Sequence, residues 1–216
     1  MSFARDPGTL AYYERRAGEY DEWYEGEGRF AVRERPGWDQ ELQRVIAIVK
    51  ALPAARTLDV ACGTAFLSRH LRGFVVGLDA SPAMVAIAQE RLPNGLAVAG
   101  DALDLPFADH AFDRVLTGHF YGHLAAEERT RFLAEARRVA PELVVVDSAR
   151  REGVPPEGWQ ERVLNDGSRH RVYKRYLAPR DLRNELGAEV VHAGTWFVVA
   201  HVNASETGRE RANRTG

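Results

Sequence analysis

Residues 57–67 read Thr-Leu-Asp-Val-Ala-Cys-Gly-Thr-Ala-Phe-Leu. An apolar run that contains an acid is followed by a turn of small residues and then by a helix start. Small residues let a backbone approach a ligand closely, and Gly63 tolerates dihedral angles that other residues avoid. The stretch predicts a strand, a loop and a helix, with the loop either a ligand-binding turn or simply a tight one.

Around this stretch, short apolar runs alternate with helical patterns. Strands are expected at 57–61, 74–79, 96–99, 114–117 and 143–147, and helices at 66–72, 83–91 and 127–139. Runs such as 143–146 (Leu-Val-Val-Val) are apolar on both faces, as in strands covered by helices on both sides. Near the end, Gly194-Thr195 is too short for a crossover helix, so strand 196–202 must run antiparallel beside 189–193. We therefore expect an α/β, Rossmann-like, seven-stranded mixed sheet with helices on both faces and an antiparallel last strand.

The chain divides into three expected regions. Residues 1–37 are predicted to be an N-terminal helical lid segment, 38–202 the main domain with a hairpin insert at 160–176, and 203–216 a polar tail. In the insert, a two-residue turn at Asp166-Gly167 would pair Leu164 with Arg169 and Arg162 with Arg171.

The hairpin insert has two interpretations. If its arginines face inward, Arg169 or Arg171 would hold a carboxylate or phosphate of the substrate. If they face outward, Val163, His170 and Val172 face the protein. The outward arrangement is favoured because burying unpaired guanidinium groups is costly.

Composition limits the classes of function. The chain has 216 residues, 45% of them hydrophobic, and a formal net charge of −2, which fits one globular domain with no global attraction for nucleic acid or an anionic membrane. Cys62 is the single cysteine, and no Cys/His cluster has zinc spacing, so neither an internal disulfide nor a metal is expected. No apolar run is long enough to span a membrane, and the first residues do not resemble a signal peptide. We expect a cytoplasmic protein, monomeric or homodimeric.

The acids at the ends of the first two strands indicate the ligand. Asp79 follows Asp59 by twenty residues, and an acid at that place can accept hydrogen bonds from both ribose hydroxyls of an adenosine group. A dinucleotide fingerprint would need glycine where Ala61 and Phe66 stand, and Asp59 would repel a pyrophosphate. A carboxylate there suits a cationic amine, so the pattern favours S-adenosylmethionine.

Four motifs follow one another at 58–64, 78–84, 99–107 and 111–116. Together they resemble the motifs of class I S-adenosylmethionine-dependent methyltransferases of the methyltransferase type 11 kind, near the quinone-biosynthesis branch. The resemblance spans about residues 10–202, with Ala65 standing where that family usually has glycine. It implies that Asp79 binds the ribose, that Asp101 binds the adenine amino group, and that the loop lies under the methionine part. The implied cofactor-binding residues are Tyr20, Asp59, Ala61, Gly63, Asp79, Ala80, Met84, Asp101, Ala102, Leu103, Thr117 and His119.

Some of these residues also have purely structural interpretations. Asp101 ends an apolar run and can cap the turn that follows it. The aromatic residues between Tyr12 and Tyr24, which include Tyr13 and Tyr20, can pack as a core or lid stripe rather than touch a ligand. In related methyltransferases a similar Tyr-Asp segment closes over the cofactor, which favours Tyr20 over Tyr13.

The segment 117–124, Thr-Gly-His-Phe-Tyr-Gly-His-Leu, holds the candidate catalytic residues. It follows the fourth strand, at the edge where open α/β sheets bind ligands. His119 is the first choice as a residue lining the site, with His123 second and Tyr121 nearby. The structural alternative is that one of these histidines merely hydrogen-bonds to the backbone.

The sequence therefore predicts an S-adenosylmethionine-dependent methyltransferase that acts on a small-molecule acceptor. One alternative is an RNA methyltransferase, supported by basic residues between 169 and 183: Arg169, Arg171, Lys174, Arg175, Arg180 and Arg183. The net charge disfavours a nucleic-acid partner. The other alternative is a non-catalytic S-adenosylmethionine-binding protein.

Overall fold

A computed structural model describes residues 4–203. Its strands are β1 (Ala55–Val60), β2 (Gly73–Asp79), β3 (Gly95–Ala99), β4 (Arg114–Gly118), β5 (Glu142–Ser148), β6 (Glu157–Val163), β7 (Arg169–Arg175), β8 (Glu189–Ala193) and β9 (Phe197–Val202). Seven of them form one sheet in the order β3-β2-β1-β4-β5-β9-β8, while β6 and β7 form a separate hairpin. The first five strands are parallel, and β9 runs antiparallel to both β5 and β8. The predicted seven-stranded mixed sheet with an antiparallel last strand is confirmed.

The α-helices are α1 (Pro7–Arg16), α2 (Glu22–Glu25), α3 (Trp38–Ala51), α4 (Pro82–Arg91), α5 (Ala126–Val139) and α6 (Pro179–Leu186). Their ends follow local sequence. The Asp6 carboxylate caps α1 by accepting from the Thr9 backbone N–H, and the Ser81 hydroxyl caps α4 by accepting from Met84. Gly187 ends α6 in the left-handed conformation.

Two apolar cores cover the sheet, one on each face. On one face α5 packs Phe132 against Leu58 and Val145, and all three side chains are buried. On the other face α3 packs Val45 against a cluster that includes Val144 and Phe197. A fully buried side chain of this size contributes about 1.5–3 kcal/mol, so the sheet forms a rigid base for the loops at its edge.

The predicted helix at 66–72 is wrong. The chain there forms only a short 3₁₀ turn, Ser68–His70. Ala65 has a φ of +59°, which interrupts right-handed helix geometry before it starts, and residues 62–68 are buried on every side. The glycine that the related family usually has at this position would adopt this φ without strain.

The hairpin of β6 and β7 differs from the predicted register by one residue. Its loop has three residues, Asn165 to Gly167, with Gly167 in the left-handed conformation, and the Leu164 N–H donates to the Ser168 carbonyl. Arg162 therefore pairs with His170, and Val163 with Arg169. The one-residue shift changes which β6 side chains share a face with those of β7, so Arg162, and not Val163, lies on the face of His170 and Val172, while Arg162 and Val163 both line a cavity beside the hairpin.

The outward interpretation holds for the β7 strand of the hairpin. Arg169 and Arg171 are exposed, Val172 is buried, and His170 packs against Tyr12. Two hydrogen bonds to Asp147, one of them also an ion pair, lie at the base of the hairpin. Lys174 Nζ donates to Asp147 Oδ1 at 2.5 Å, and Asp147 Oδ2 accepts from the Gly122 N–H at 2.7 Å.

Candidate functional site

A cavity of about 470 Å³ lies at the carboxyl ends of β1 to β4; we call it the strand-end cavity. Parallel strands place their C-terminal residues at one edge, which is where the sequence predicted a ligand. The predicted residues that line it are Tyr20, Ala61, Gly63, Asp79, Ala80, Met84, Asp101, Ala102, His119 and His123. Sequence reasoning missed Ser81, Gly100 and Phe120, which also line it; each lies next to a predicted residue.

Asp79 holds the loop after β1 in place. Its Oδ2 accepts from the Gly63 N–H and its Oδ1 from the Ser81 N–H, both at 2.9 Å. Burial raises the pKa of Asp79, and these two hydrogen bonds oppose the rise. Gly63 has a φ of +54°, and a Cβ there would lie 3.3 Å from the Tyr20 ring, so the loop needs glycine at this position.

Asp59 lies just below the same loop, in a small recess shared with Tyr20 and Ala61. Its side chain is buried, and Oδ1 has no hydrogen-bond partner among the described residues. Burial raises the pKa of Asp59 to about 7, with the Ser68 hydroxyl lowering it and the charge of Asp79 adding to the rise. A buried acceptor without a partner costs free energy unless a ligand supplies a donor.

Asp101 is held by two different groups. Its Oδ1 accepts from the Leu103 N–H at 2.8 Å, which is the local capping role that the sequence left open. Its Oδ2 accepts from Arg5 Nε at 2.7 Å, so the N-terminus crosses the cavity mouth at this point. Arg5 also lines the cavity and was not predicted.

Besides Asp59, three predicted residues do not line the strand-end cavity. The Leu103 side chain is buried in the core, and Thr117 lies inside the sheet, where its hydroxyl donates to the Val60 carbonyl at 2.8 Å. Tyr121 was predicted to be catalytic, but it packs against Phe132 and donates its hydroxyl to Glu185 at 2.7 Å. The turn Tyr121–His123 is a 3₁₀ helix, which directs position 121 into the core and away from the cavity.

His119 follows directly after β4 with a φ of +57°, and its backbone N–H donates to the Val146 carbonyl. Its imidazole packs against Trp23, with ring centroids 4.7 Å apart, and its Nδ1 lies 3.3 Å from the Ser148 hydroxyl. Its Nε2 is buried and has no hydrogen-bond partner among residues 4–203. Burial lowers the pKa of His119 to about 3, so the ring is neutral at physiological pH and its Nε2 is available to a ligand.

His123 has both ring nitrogens occupied. A carbonyl only accepts, so Nδ1 must donate to the Tyr173 carbonyl, 2.5 Å away. The neutral ring then has Nε2 as an acceptor, and the Tyr13 hydroxyl donates to it at 3.2 Å. Burial lowers the pKa of His123 well below its ordinary value. The backbone bond to Tyr173 is the structural alternative that the sequence considered for this pair of histidines.

A second cavity of about 770 Å³ adjoins the first; we call it the arginine cavity. The two cavities share four lining residues, Tyr13, Tyr20, His119 and His123. The outer walls come from the N-terminal segment and from the inner face of the β6–β7 hairpin, including Arg162 and Lys174. Sequence reasoning missed the arginines of this cavity at 29, 33 and 35, although their density in one loop was a visible signal.

The N-terminal segment (residues 4–37) lies across both cavities. Glu14 accepts from the Ser81 hydroxyl at 2.5 Å, and Asp21 accepts from the Thr64 hydroxyl at 2.5 Å and pairs with Arg91. On the other side, Arg15 pairs with Asp166 at the hairpin tip. The segment therefore connects the sheet edge to the hairpin.

The basic run between 169 and 183 does not form one positive surface. Arg169 pairs with Glu161, Lys174 is buried against Asp147, and Arg175 pairs with Glu185. These ion pairs neutralise the charges on which an RNA interface would depend. Among residues 4–203, no three His, Cys, Asp or Glu side chains are grouped so as to hold a metal ion. Within that same range, none of the helices combines the length and the apolar character needed to cross a bilayer.

Comparisons with known proteins agree with this geometry. Residues 58–142 match the family described as a methyltransferase domain. A demethylmenaquinone methyltransferase of Thermotoga maritima is 35% identical over 102 residues, or 45% of this chain and 44% of that protein. One from Listeria welshimeri is 30% identical over 156 residues, or 66% of this chain and 60% of that protein. The chain thus covers less than two thirds of the length of either relative.

The solved structure described as "DhpI-SAM-HEP complex" is 26% identical, with a TM-score of 0.74, and the match covers 93% of this chain and 98% of that one. The structure described as "DhpI-SAH complex structure" is 27% identical with a TM-score of 0.68, covering 90% and 94%. Fold, motif order and these similarities agree: the chain has the fold of class I S-adenosylmethionine-dependent methyltransferases and is similar to them in sequence.

Proposed function

We propose that this protein transfers a methyl group from S-adenosylmethionine to a small-molecule acceptor. The observation that carries the proposal is the pair of adjoining cavities that share Tyr13, Tyr20, His119 and His123. A cofactor in one and an acceptor in the other would meet at these four side chains, shielded from bulk water. The names of the relatives, which include demethylmenaquinone methyltransferases, support a small-molecule acceptor.

The strand-end cavity, together with the recess that holds Asp59, fits S-adenosylmethionine on several counts. Asp59 offers a buried oxygen without a partner, which suits the ammonium group of the cofactor. Asp79 uses one lone-pair site on each oxygen for Gly63 and Ser81, which leaves one on each for a ribose hydroxyl. The apolar side chain of Met84 and the carboxylate of Asp101 suit an adenine ring and its amino group.

When bound, S-adenosylmethionine supplies an electrophilic methyl group on a sulfonium. The residues of this chain contribute orientation and exclusion of water, which are the main requirements of an in-line displacement. We assign His119 as a side chain that hydrogen-bonds the acceptor, because it lines both cavities and its Nε2 has no partner among residues 4–203. His123 and Tyr13 act as a hydrogen-bonded pair that fixes the wall between the cavities.

We also propose that the N-terminal segment acts as a lid. It contacts the cavity mouth through Arg5 and Asp101 and the sheet edge through Glu14 and Ser81. The Arg5–Asp101 pair is partly exposed, where the net free energy of an ion pair is small, so the segment can open at this point without large cost.

Two measurements test the proposal. Calorimetry should detect binding of S-adenosylmethionine and S-adenosylhomocysteine, and a metabolite panel should yield an acceptor that produces S-adenosylhomocysteine with turnover. Cofactor binding with no turnover on any acceptor would support the non-catalytic alternative. A salt-dependent complex with tRNA, followed by methylation of it, would support the RNA alternative instead.

A further inference from the structure

The charge of the arginine cavity is strongly one-sided. Its lining includes seven cationic side chains and only two acidic ones, Glu34 and Glu161. Lys174 is neutralised by Asp147, and Glu161 is engaged by Arg169. The remaining six cations are Arg16, Arg29, Arg33, Arg35, Arg151 and Arg162. None of these six forms an ion pair with a carboxylate within the described chain, residues 4–203, although other arginines do.

Aromatic rings and neutral oxygen atoms hold these guanidinium groups instead. Four arginines lie over ring faces: Arg16 over Tyr20 at 4.9 Å, Arg33 over Phe30 at 4.8 Å, Arg35 over Trp38 at 3.9 Å and Arg151 over Trp196 at 4.3 Å. A ring face contacts the plane of a guanidinium and leaves most of the N–H groups at its edge free. Arg162 is steadied by the Gln160 amide oxygen at 2.6 Å.

Gathering these charges is unfavourable without a partner. Burial lowers the pKa of Arg33, and the neighbouring positive charges of Arg162, Arg16 and Arg29 lower it further. Arg35 has its pKa lowered by burial and by Arg33. Like charges around one cavity repel one another, and an anion placed among them removes that cost.

We infer that the acceptor is a small organic oxyanion, with a carboxylate or a phosphate-type group bound by Arg16, Arg33 and Arg162. The inference rests on the proposed function, since it names the class of molecule that the arginine cavity takes. A planar guanidinium presents parallel N–H donors that match two oxygens of such a group. Trp23, Phe30 and Tyr176 line the same cavity and suit an apolar remainder of the acceptor.

The test uses three probes of one size on the protein loaded with S-adenosylhomocysteine: benzoate, phenylphosphonate and the neutral benzamide. In calorimetry at low ionic strength, the two anions should bind at least about tenfold more tightly than benzamide, and the better of them identifies the kind of oxyanion. Arg162→Gln and Arg33→Gln should each weaken anion binding about 10- to 100-fold. Both variants should leave the affinity for S-adenosylhomocysteine unchanged, because neither side chain lines the strand-end cavity.

Arg171→Gln is the matched control, since Arg171 lies on the outer face of the same hairpin and is exposed. Equal binding of benzamide and the anions would overturn the inference, and so would an Arg162→Gln variant that behaves like Arg171→Gln. The same titrations on protein without S-adenosylhomocysteine keep the two hypotheses apart. Failure to bind S-adenosylhomocysteine would defeat the proposed function. Arginine-dependent anion binding by the protein without S-adenosylhomocysteine would still support the oxyanion site.

Discussion

Replacement of Asp79 by alanine tests the cofactor site most directly. The two free lone-pair sites on its carboxylate are expected to accept both ribose hydroxyls, one on each oxygen. Hydrogen bonds to a charged group contribute about 1.5–3 kcal/mol net, so Asp79→Ala should weaken S-adenosylmethionine binding by about that amount, or about 10- to 150-fold. The fold should persist, because Asp79 is the last residue of β2 and its removal leaves the strand ladder intact.

Isothermal titration calorimetry measures this change, with circular dichroism as the check of folding. Asp79→Asn should fall between wild type and Asp79→Ala, because an amide keeps one acceptor oxygen but places a donor against either the Gly63 or the Ser81 N–H. The matched control is Asp104→Ala, which removes an acid whose side chain is 76% exposed and outside both cavities. A folded Asp79→Ala variant with wild-type affinity would refute the assignment of the ribose to this carboxylate.

Three further variants address Asp59, His119 and Tyr121. Burial raises the pKa of Asp59 to about 7, so its carboxyl is protonated in the ligand-free protein below that pH. Cofactor affinity should therefore rise with pH up to about 7. Titrations between about pH 5.5 and 7.5 measure this slope, and Asp59→Asn should abolish it. His119→Asn keeps a residue type that tolerates the positive φ at this position. Loss of the imidazole hydrogen bond to the acceptor should lower kcat/KM for that acceptor by about tenfold, and unaltered kcat/KM would exclude this role. Tyr121→Phe should lower the free energy of unfolding by about 1 kcal/mol, because the hydrogen bond to Glu185 is lost. Methyl transfer should stay at the wild-type rate, and a large loss of kcat would contradict the placement of this side chain in the core.

The sheet was predictable from the sequence because each strand carries its own signal. Val144 and Val145 belong to an apolar run buried on both faces, and a three-residue connection at 194–196 allows only an antiparallel neighbour. The helix expected at 66–72 was wrong because apolar periodicity does not reveal the positive φ of Ala65, which lies in a tight turn where its N–H donates to the Cys62 carbonyl. The hairpin register failed by one residue because the signal at Asp166-Gly167 does not distinguish a two-residue turn from a three-residue loop.

The candidate site was predictable only where it is built from strand ends. Asp79 and Asp101 occupy positions that any parallel sheet brings together, so their motifs locate them in three dimensions. For the arginine cavity, the arginines between 29 and 35 are visible in the sequence, but their position in the fold is not. Arg33 and Arg162 are 129 positions apart and meet only when the N-terminal segment folds over the hairpin. The place of Tyr121 outside the cavity was not predictable for a related reason: its direction depends on the 3₁₀ turn, which spacing alone does not reveal.

The arginine cavity has a consequence for how this kind of protein diversifies. Most of its wall comes from the N-terminal segment and the hairpin, and only a few residues, such as His119 and Ser148, come from the sheet or its edge. Substitutions on those outer elements alter what is recognised while leaving the buried strands and the loop around Asp79 untouched. Substrate selectivity and the stability of the fold therefore depend on different parts of one chain. Related proteins can change substrate through substitutions in the outer elements without losing stability in the core.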